Sequence, residues 1–186
     1  MPVESRLFRY WLGGLYCLWV SSLPVLAQDD VRKVLRDMQV TVPKQALLAP
    51  DFMLKSVTGR AMRLSEFRGR PILLHFWATF CSPCVRELPA LQSLWRDYRR
   101  HGLVVLAVAA DRGVGAVKTV AAFVQKGRYD FPVLLDGEGE VRNRYEVVAL
   151  PTTYLIGRDG RFLGRIIGER DWSSGLARSL AGMLTD

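Results

Sequence analysis

The chain has 186 residues, of which 49% are hydrophobic, and a formal net charge of +8. A chain of this length and apolar content can form one domain with a hydrophobic core that is stable without disulfide bonds. The positive charges are spread along the sequence and are not interleaved with aromatic side chains, so a nucleic-acid-binding role is not indicated.

The first 27 residues have the pattern of a secretory signal peptide. Arg6 and Arg9 precede an apolar stretch over 10–20, Pro24 breaks that stretch, and Ala27 ends a small-residue cleavage pattern. We predict a signal peptide over 1–27, with an N-terminal membrane anchor as the alternative, in which 10–27 tethers the chain to a membrane. Either reading predicts a periplasmic or other extracytoplasmic protein, soluble after cleavage or anchored to the inner membrane. We predict an N-terminal extension over 28–48 and one domain over 49–186.

The remaining elements follow in chain order. A short helix over 30–38 precedes a proline-containing loop, and strands at 52–57 and 61–64 flank the turn Thr58-Gly59 as a hairpin. Strands then alternate with helical segments: a helical turn at 64–69, a strand at 72–78, a helix from the CxxC to about Arg100, a strand at 103–109, a helix at 114–126, a strand at 131–135, a helix at 138–145, hairpin strands at 152–156 and 162–167, and a helix at 172–184. This order predicts an α/β domain with helices on both faces of one sheet.

The chain has three cysteines, and two of them form the motif Cys81-Ser82-Pro83-Cys84. The third, Cys17, lies in the leader and is removed by cleavage. A disulfide between residues this close in sequence contributes little to folding stability, so the pair is better explained as a redox-active site than as a structural bond. Cys81 lies where a buried strand ends and a helix begins, which lowers a thiol pKa and favours the attacking thiolate. Cys84, one helical turn later, can resolve the mixed disulfide, and Pro83 suits an early helix position.

Two other readings of the cysteine pair start from the same residues. Half of a zinc site would need further ligands from His75 and His101, which the pattern places on a buried strand and at a helix end, so no metal site is predicted. An inert structural bridge is the second reading, and the short loop argues against it.

Several motifs resemble those of one family. Residues 76–84, FWATFCSPC, resemble the thioredoxin signature FWAxWCxPC, and 148–153, VALPTT, resembles its cis-proline segment. Residues 49–52 and 64–69, with Glu87 and Pro89 after the second cysteine, are similar to the TlpA/ResA/CcmG branch of exported thiol reductases. The segment between Cys84 and Pro151 holds an additional helix and strand, the insertion that this branch carries.

The resemblance implies a thioredoxin-like fold: a central mixed sheet with helices on both faces, an N-terminal hairpin, and an extra helix–strand insertion before the cis-proline. It implies an exported thiol–disulfide oxidoreductase that reduces disulfides in envelope proteins without a cofactor. A membrane electron donor would re-reduce it, its partners would be thiol- or disulfide-containing exported proteins, and cytochrome c maturation is the pathway the branch most often implies.

The resemblance also implies roles for residues beyond the two cysteines. Pro151 is expected to be cis and to lie beside Cys81, so that Leu150, Pro151, Trp77 and Pro83 form the substrate-binding part of the site. Glu87 is expected to accept a proton or tune the dithiol, and a solvated helix carboxylate is the alternative. His75 departs from the pattern, because thioredoxin has a buried acid there and the branch often has an asparagine. We expect either a hydrogen-bonded core histidine or a proton relay to Cys84.

Other function classes are less well supported by the motifs. A copper chaperone of the same fold would need a CxxxC and a distal histidine. A peroxidase would need a PxxxTxxC pattern, but Leu74 and Ala78 occupy two of its key positions. A disulfide oxidant or isomerase would use the same dithiol. A purely structural interaction module would not use it, and the intact dithiol argues against such a module.

Overall fold

The computed structural model describes residues 32–186, so the predicted leader and the first residues of the extension lie outside the described range. The described chain forms one seven-stranded sheet in the order β2-β1-β5-β4-β3-β6-β7. The strands are β1 (Met53–Ser56), β2 (Ala61–Arg63), β3 (Ile72–Trp77), β4 (Val104–Ala109), β5 (Val133–Leu135), β6 (Thr152–Ile156) and β7 (Phe162–Ile167). β3, β4 and β5 are parallel, and the other neighbouring strands are antiparallel. The predicted mixed sheet is therefore confirmed.

The two continuous apolar runs of the sequence form the centre of the sheet. All six residues of β3 and all six of β4 are buried, because helices or loops cover both faces of these strands. Ile72 pairs with Val104 at one end of the parallel pair, and Trp77 pairs with Ala109 at the other. The carboxyl end of β3, which the cysteine motif follows, is thus paired with β4 up to its last residue.

The helices are α1, of which residues 32–37 are described, α2 (Ser82–Tyr98), α3 (Ala116–Gly127), α4 (Glu140–Arg144) and α5 (Gly175–Thr185). One core cluster joins α2, α3 and α5 to one face of the sheet through Leu88, Val120 and Leu180. The opposite core cluster contains Val141 of α4 and Phe52. The predicted insertion is present as α3 and β5, and helices lie on both faces.

The last helix begins later than its sequence pattern suggests. We predicted a helix from Trp172, but α5 starts at Gly175, after Ser174, whose hydroxyl accepts a hydrogen bond from the Ala177 amide at 3.2 Å. Serine is a favourable N-cap, and it fixes the first turn at this point. Trp172 is buried just before the helix instead of within it.

The described part of the N-terminal extension packs against the domain. Thr41 exchanges two backbone hydrogen bonds with Arg165 of β7, at 2.8 and 2.9 Å, and Leu48 forms an isolated bridge with Arg161. Met38, at the end of α1, is buried in the main core. The extension therefore covers part of the β7 edge.

Among residues 32–186, we find no helix that is both long and apolar enough to cross a membrane.

Candidate active site

The cysteine pair lies at the start of α2. Cys81 is the N-cap residue of this helix, and its sulfur accepts the Cys84 amide at 3.3 Å. The two residues form a disulfide with their Cα atoms 5.3 Å apart. Cys81 is partly exposed, whereas Cys84 is fully buried. Of these two cysteines, only Cys81 is therefore accessible to a sulfur atom of another molecule, and its thiolate would have a backbone amide and a helix N-terminus for stabilisation.

The residues around Cys81 differ in exposure. Phe80, just before it, has 73% of its surface exposed, and Pro83, in the first turn of the helix, is partly exposed. Trp77 is fully buried, and its ring centroid lies 5.3 Å from that of Phe123 on α3. A direct substrate contact, which the resemblance implied for Trp77, does not fit this burial. The side chain acts as core packing beneath the motif.

The proline segment adjoins the same edge of the sheet. The Leu150–Pro151 peptide bond is cis. Thr152, the next residue, pairs with Phe76 of β3, so Pro151 lies beside the end of β3, from which the chain continues to Cys81. Pro151 is buried and Leu150 is half-buried.

A buried histidine and a buried glutamate meet behind the cysteine pair. Side chains alternate along β3, so His75 projects to the same face as Trp77, the face that α2 covers. His75 Nε2 lies 3.4 Å from Glu87 Oε1, and both side chains are essentially inaccessible to solvent. The other ring nitrogen, Nδ1, lies 2.9 Å from the Thr153 hydroxyl on β6. Glu87 is one helical turn after Cys84 on α2, so the contact brings two predicted site residues together near Cys84.

Burial dominates the protonation of this pair. It raises the pKa of Glu87 to about 7, against the opposing effect of the Arg170 amide, which donates to Glu87 Oε2 at 2.7 Å. Burial also lowers the pKa of His75 to about 3. At neutral pH the histidine is therefore uncharged, and Glu87 is close to half-protonated.

Two tautomers of the neutral His75 ring satisfy its contact with Thr153, whose hydroxyl can accept from Nδ1–H or donate to Nδ1. The 3.4 Å contact between His75 Nε2 and Glu87 Oε1 does not have hydrogen-bond geometry, and neither atom has a hydrogen-bond partner. The solvated-carboxylate alternative for Glu87 is wrong, because the side chain is buried.

Comparison with known proteins identifies the family. The sequence matches the model of the AhpC/TSA family over residues 46–162. The chain belongs to this family. Thiol-disulfide oxidoreductase ResA from Bacillus thuringiensis subsp. konkukian is 37% identical over 122 residues, which are 66% of this chain and 69% of that relative. ResA from Geobacillus thermodenitrificans is 40% identical over 121 residues, 64% of this chain and 67% of the relative.

Solved structures agree with this assignment. The chain is similar to a putative thiol:disulfide interchange protein DsbE from Chlorobium tepidum, with a TM-score of 0.70 and 28% identity, over 77% of this chain and 99% of that one. StoA from Bacillus subtilis gives a TM-score of 0.60 and 26% identity over 74% and 98% of the two chains. This AhpC/TSA-family protein is thus a thiol–disulfide oxidoreductase of the ResA, DsbE and StoA type, and its fold is thioredoxin-like.

The structure of this oxidoreductase contains one site residue that the sequence interpretation missed. Asp111 follows β4 and is largely buried, and its carboxylate accepts the backbone amide of Thr79 at 3.1 Å and the Thr79 hydroxyl. Thr79 lies two residues before Cys81, so Asp111 holds the segment that joins β3 to the cysteine motif. An acidic residue at the carboxyl end of a parallel strand, beside the strand that leads to the cysteines, was the available signal.

The described part of the chain has no group of three or more histidine, cysteine, aspartate or glutamate side chains placed to hold a metal ion. His101 ends a 3-10 turn after α2, its ring centroid 6.0 Å from that of Tyr98. Neither observation adds support for zinc or copper at the cysteine pair.

Proposed function

We propose that this oxidoreductase acts as an exported reductase of protein disulfides, with Cys81 as the nucleophile and Cys84 as the resolving cysteine. The observation that supports it best is the combination of a partly exposed Cys81 at a helix N-terminus with a buried Cys84 next to Glu87 and His75. Such a site offers one sulfur to the substrate and keeps the other inside, where proton transfer must involve protein groups.

In the first step, the Cys81 thiolate attacks a disulfide of the substrate. A bond forms between Cys81 and one substrate sulfur, the substrate S–S bond breaks, and the other substrate sulfur leaves as a thiolate. The Cys84 amide and the start of α2 stabilise Cys81 as a thiolate, which raises the fraction of the protein that is ready to react.

In the second step, Cys84 resolves the mixed disulfide. Its thiol loses a proton to the Glu87 carboxylate, the Cys84 sulfur attacks Cys81, and the second substrate sulfur leaves as a thiolate. The substrate gains two electrons, and the enzyme is left with the Cys81–Cys84 disulfide. A carboxylate with a pKa of about 7 suits this role, because it can both accept and return a proton near neutral pH. A dithiol donor then reduces the disulfide and restores the enzyme.

His75 is proposed as the partner that holds the Glu87 proton in place. In the proposed tautomer, its neutral ring donates from Nδ1 to the Thr153 hydroxyl, 2.9 Å away, and Nε2, 3.4 Å from Glu87 Oε1, faces the protonated acid. The ring thereby stabilises the protonated acid that follows deprotonation of Cys84. In this arrangement His75 acts through Glu87, as a positioning residue.

The surface next to Cys81 supports a polypeptide substrate. Phe80 is 73% exposed and Val148, in the loop that leads to the cis-proline, is 86% exposed. Leu150 and Pro83, both partly exposed, complete the proposed contact area, and Pro151, whose side chain is buried, belongs to it through its main chain. An extended peptide could place apolar side chains on this surface while its disulfide meets Cys81.

The location and the pathway are part of the same proposal. The signal-peptide pattern over 1–27 supports export, with the membrane anchor over 10–27 as the alternative, and the similarity to ResA and DsbE-type proteins is compatible with an extracytoplasmic site. A membrane electron donor and a role in cytochrome c maturation are further parts of this proposal, to be tested with the purified partners.

The reduction potential tests the direction of electron flow. The Cys17→Ser variant of the full chain is equilibrated with defined dithiol/disulfide buffers, and the redox state of Cys81 and Cys84 is measured by alkylation and mass spectrometry. A reductase should have a potential nearer about −270 mV than about −120 mV. A value at the oxidising end would support the alternative, a disulfide oxidant or isomerase, and would overturn the proposal.

A trapping experiment tests the roles of the two cysteines. In the Cys17→Ser background, Cys84→Ala should accumulate mixed disulfides between Cys81 and exported proteins, because the resolving sulfur is absent. Cys81→Ala is the matched control and should trap none. Equal trapping by both variants would contradict the assignment of Cys81 as the nucleophile.

A further inference from the structure

The loop between β7 and α5 connects Glu87 with the N-terminal extension. The backbone amide of Arg170 donates to Glu87 Oε2 at 2.7 Å. The guanidinium of the same residue donates from Nε to the Met38 carbonyl at 3.1 Å and from Nη2 to Gln39 Oε1 at 2.8 Å. One residue therefore contacts a buried acid of the site with its main chain and the end of α1 with its side chain.

The end of α1 is shaped for this contact. Gln39 has a φ of 53°, in the left-handed region, and its amide donates to the Arg36 carbonyl at 2.8 Å as the helix ends. Glycine is usual at such a position, and a glutamine there has a conformational cost. In return, the glutamine side chain supplies an acceptor for Arg170 that glycine would lack.

The other groups around Glu87 do not fix the Arg170 amide in the same way. Glu169, the preceding loop residue, pairs with Arg86 at the surface of α2, where Nε and Oε1 are 3.0 Å apart. His75 approaches the opposite carboxylate oxygen from β3. The remaining guanidinium nitrogen of Arg170, Nη1, donates to the Glu169 carbonyl at 2.7 Å, within the loop. The Glu169–Arg86 pair ties the loop to α2, and the contacts with residues 38–39 are those that the Arg170 side chain itself makes outside the loop.

We propose that Arg170 is a positioning residue for Glu87, and that residues 38–39 of the extension belong to the proton-handling site through it. The side chain of Arg170, held by the Met38 carbonyl and Gln39, keeps its own backbone amide directed at the Glu87 carboxylate. An amide donor stabilises the ionised form of an acid, so loss of the tether should favour protonated Glu87. The proton-handling role of Glu87 is itself part of the proposed function, and the inference rests on it.

The test is a titration of Glu87 in the oxidised full chain, in the Cys17→Ser background. The protein is labelled with ¹³C at the glutamate side-chain carboxyl, and its signal is assigned with Glu87→Gln. Two variants, Gln39→Ala and Arg170→Lys, keep the net charge but weaken the tether, and both should raise the Glu87 pKa. Arg170→Ala also removes the charge and should raise it by about 1 unit.

Arg161→Ala is the matched control, because Arg161 also donates to a carbonyl of the extension, that of Ala46, but does not contact Glu87. It should leave the Glu87 titration unchanged. A rise only in Arg170→Ala would show that the guanidinium charge acts through space, and this would overturn the positioning role. If the Arg170 variants do not fold, the Glu87 pKa of Gln39→Ala alone tests the positioning role, because that substitution changes only an exposed side chain.

This readout is separate from the proposed function. The titration needs neither a substrate nor a redox reaction, so a failed reductase assay would leave its result valid. Conversely, a normal reductase activity with an unchanged Glu87 pKa in the two charge-conserving variants would refute only the role of Arg170. A second readout, the pH dependence of mixed-disulfide resolution, should move its midpoint upward in the same variants.

Discussion

The buried acid behind the cysteine pair should make folding stability depend on pH in a direction opposite to that of most carboxylates. The pKa of Glu87 is raised from 4.5 to about 7 in the folded protein. A raised pKa means that the folded state binds the proton more tightly than the unfolded state. Its stabilising contribution is thus fully present below about pH 4.5 and is lost as the pH rises through 7.

The size of this effect follows from the pKa difference. Each unit corresponds to about 1.4 kcal/mol, so the full loss between pH 4 and 8 is about 3 kcal/mol. Glu87→Gln removes the titration but keeps an oxygen that can accept the Arg170 amide. The free energy of unfolding of Glu87→Gln, minus that of the parent protein, should therefore increase by about 3 kcal/mol from pH 4 to pH 8.

The measurement is urea denaturation of the oxidised proteins, followed by tryptophan fluorescence at several pH values. The subtraction cancels the titration of the groups that do not interact with Glu87. Glu138→Gln is the matched control, because it makes the same substitution at an exposed glutamate outside the site. A difference between Glu87→Gln and the parent that stays flat from pH 4 to 8 would refute the raised pKa and, with it, the proposed proton transfer from Cys84.

Three further outcomes follow from the site. His75→Asn should gain stability relative to the parent as the pH falls from 6.5 towards 3, because burial lowers the pKa of the histidine to about 3, and denaturation at several pH values measures this gain. Asp111→Asn should lower the free energy of unfolding by about 2 kcal/mol, and Thr79→Val should add little to it in a double-mutant cycle, because the two residues share the same hydrogen bonds. In the reduced protein, iodoacetamide should label Cys81 more than about tenfold faster than Cys84, as mass spectrometry can show, since only Cys81 is accessible.

Much of the fold could be predicted because its local signals are strong. The short apolar runs of β3 and β4 favour strands that are buried on both faces, and the CxxC between a strand and a helix fixes the place of the cysteines. The start of α5 was predicted incorrectly because Trp172 fits the apolar face of a helix pattern, whereas the Ser174 cap sets the actual boundary. Apolar periodicity identifies which residues are buried, but it does not say where the hydrogen bonds of a helix begin.

The site was predictable only for residues that the family motif or local spacing identifies. Glu87 and Cys84 share a helix face, so their proximity follows from helix geometry. The contacts of Glu87 with His75 and with the Arg170 amide join three separate elements, and no sequence spacing encodes them. The alternation of side chains along β3 places His75 on the face that α2 covers. It therefore shows on which side of the sheet the contact partner of His75 lies, but not which residue that partner is.

The proposed proton transfer requires a Glu87 that can take both protonation states. An ionised Glu87 surrounded only by apolar side chains would be too costly to form, and a Glu87 with several charged donors would stay ionised and could not serve as the proposed proton donor to Cys84. Burial raises the pKa of Glu87 and one amide donor on Oε2 opposes it, which leaves the acid between these extremes, with a pKa of about 7. A cation next to the Glu87 carboxylate should therefore keep the acid ionised and impair the proposed proton return. Replacement of His75 by a permanently positively charged side chain should stop turnover at the mixed disulfide without preventing the first attack by Cys81.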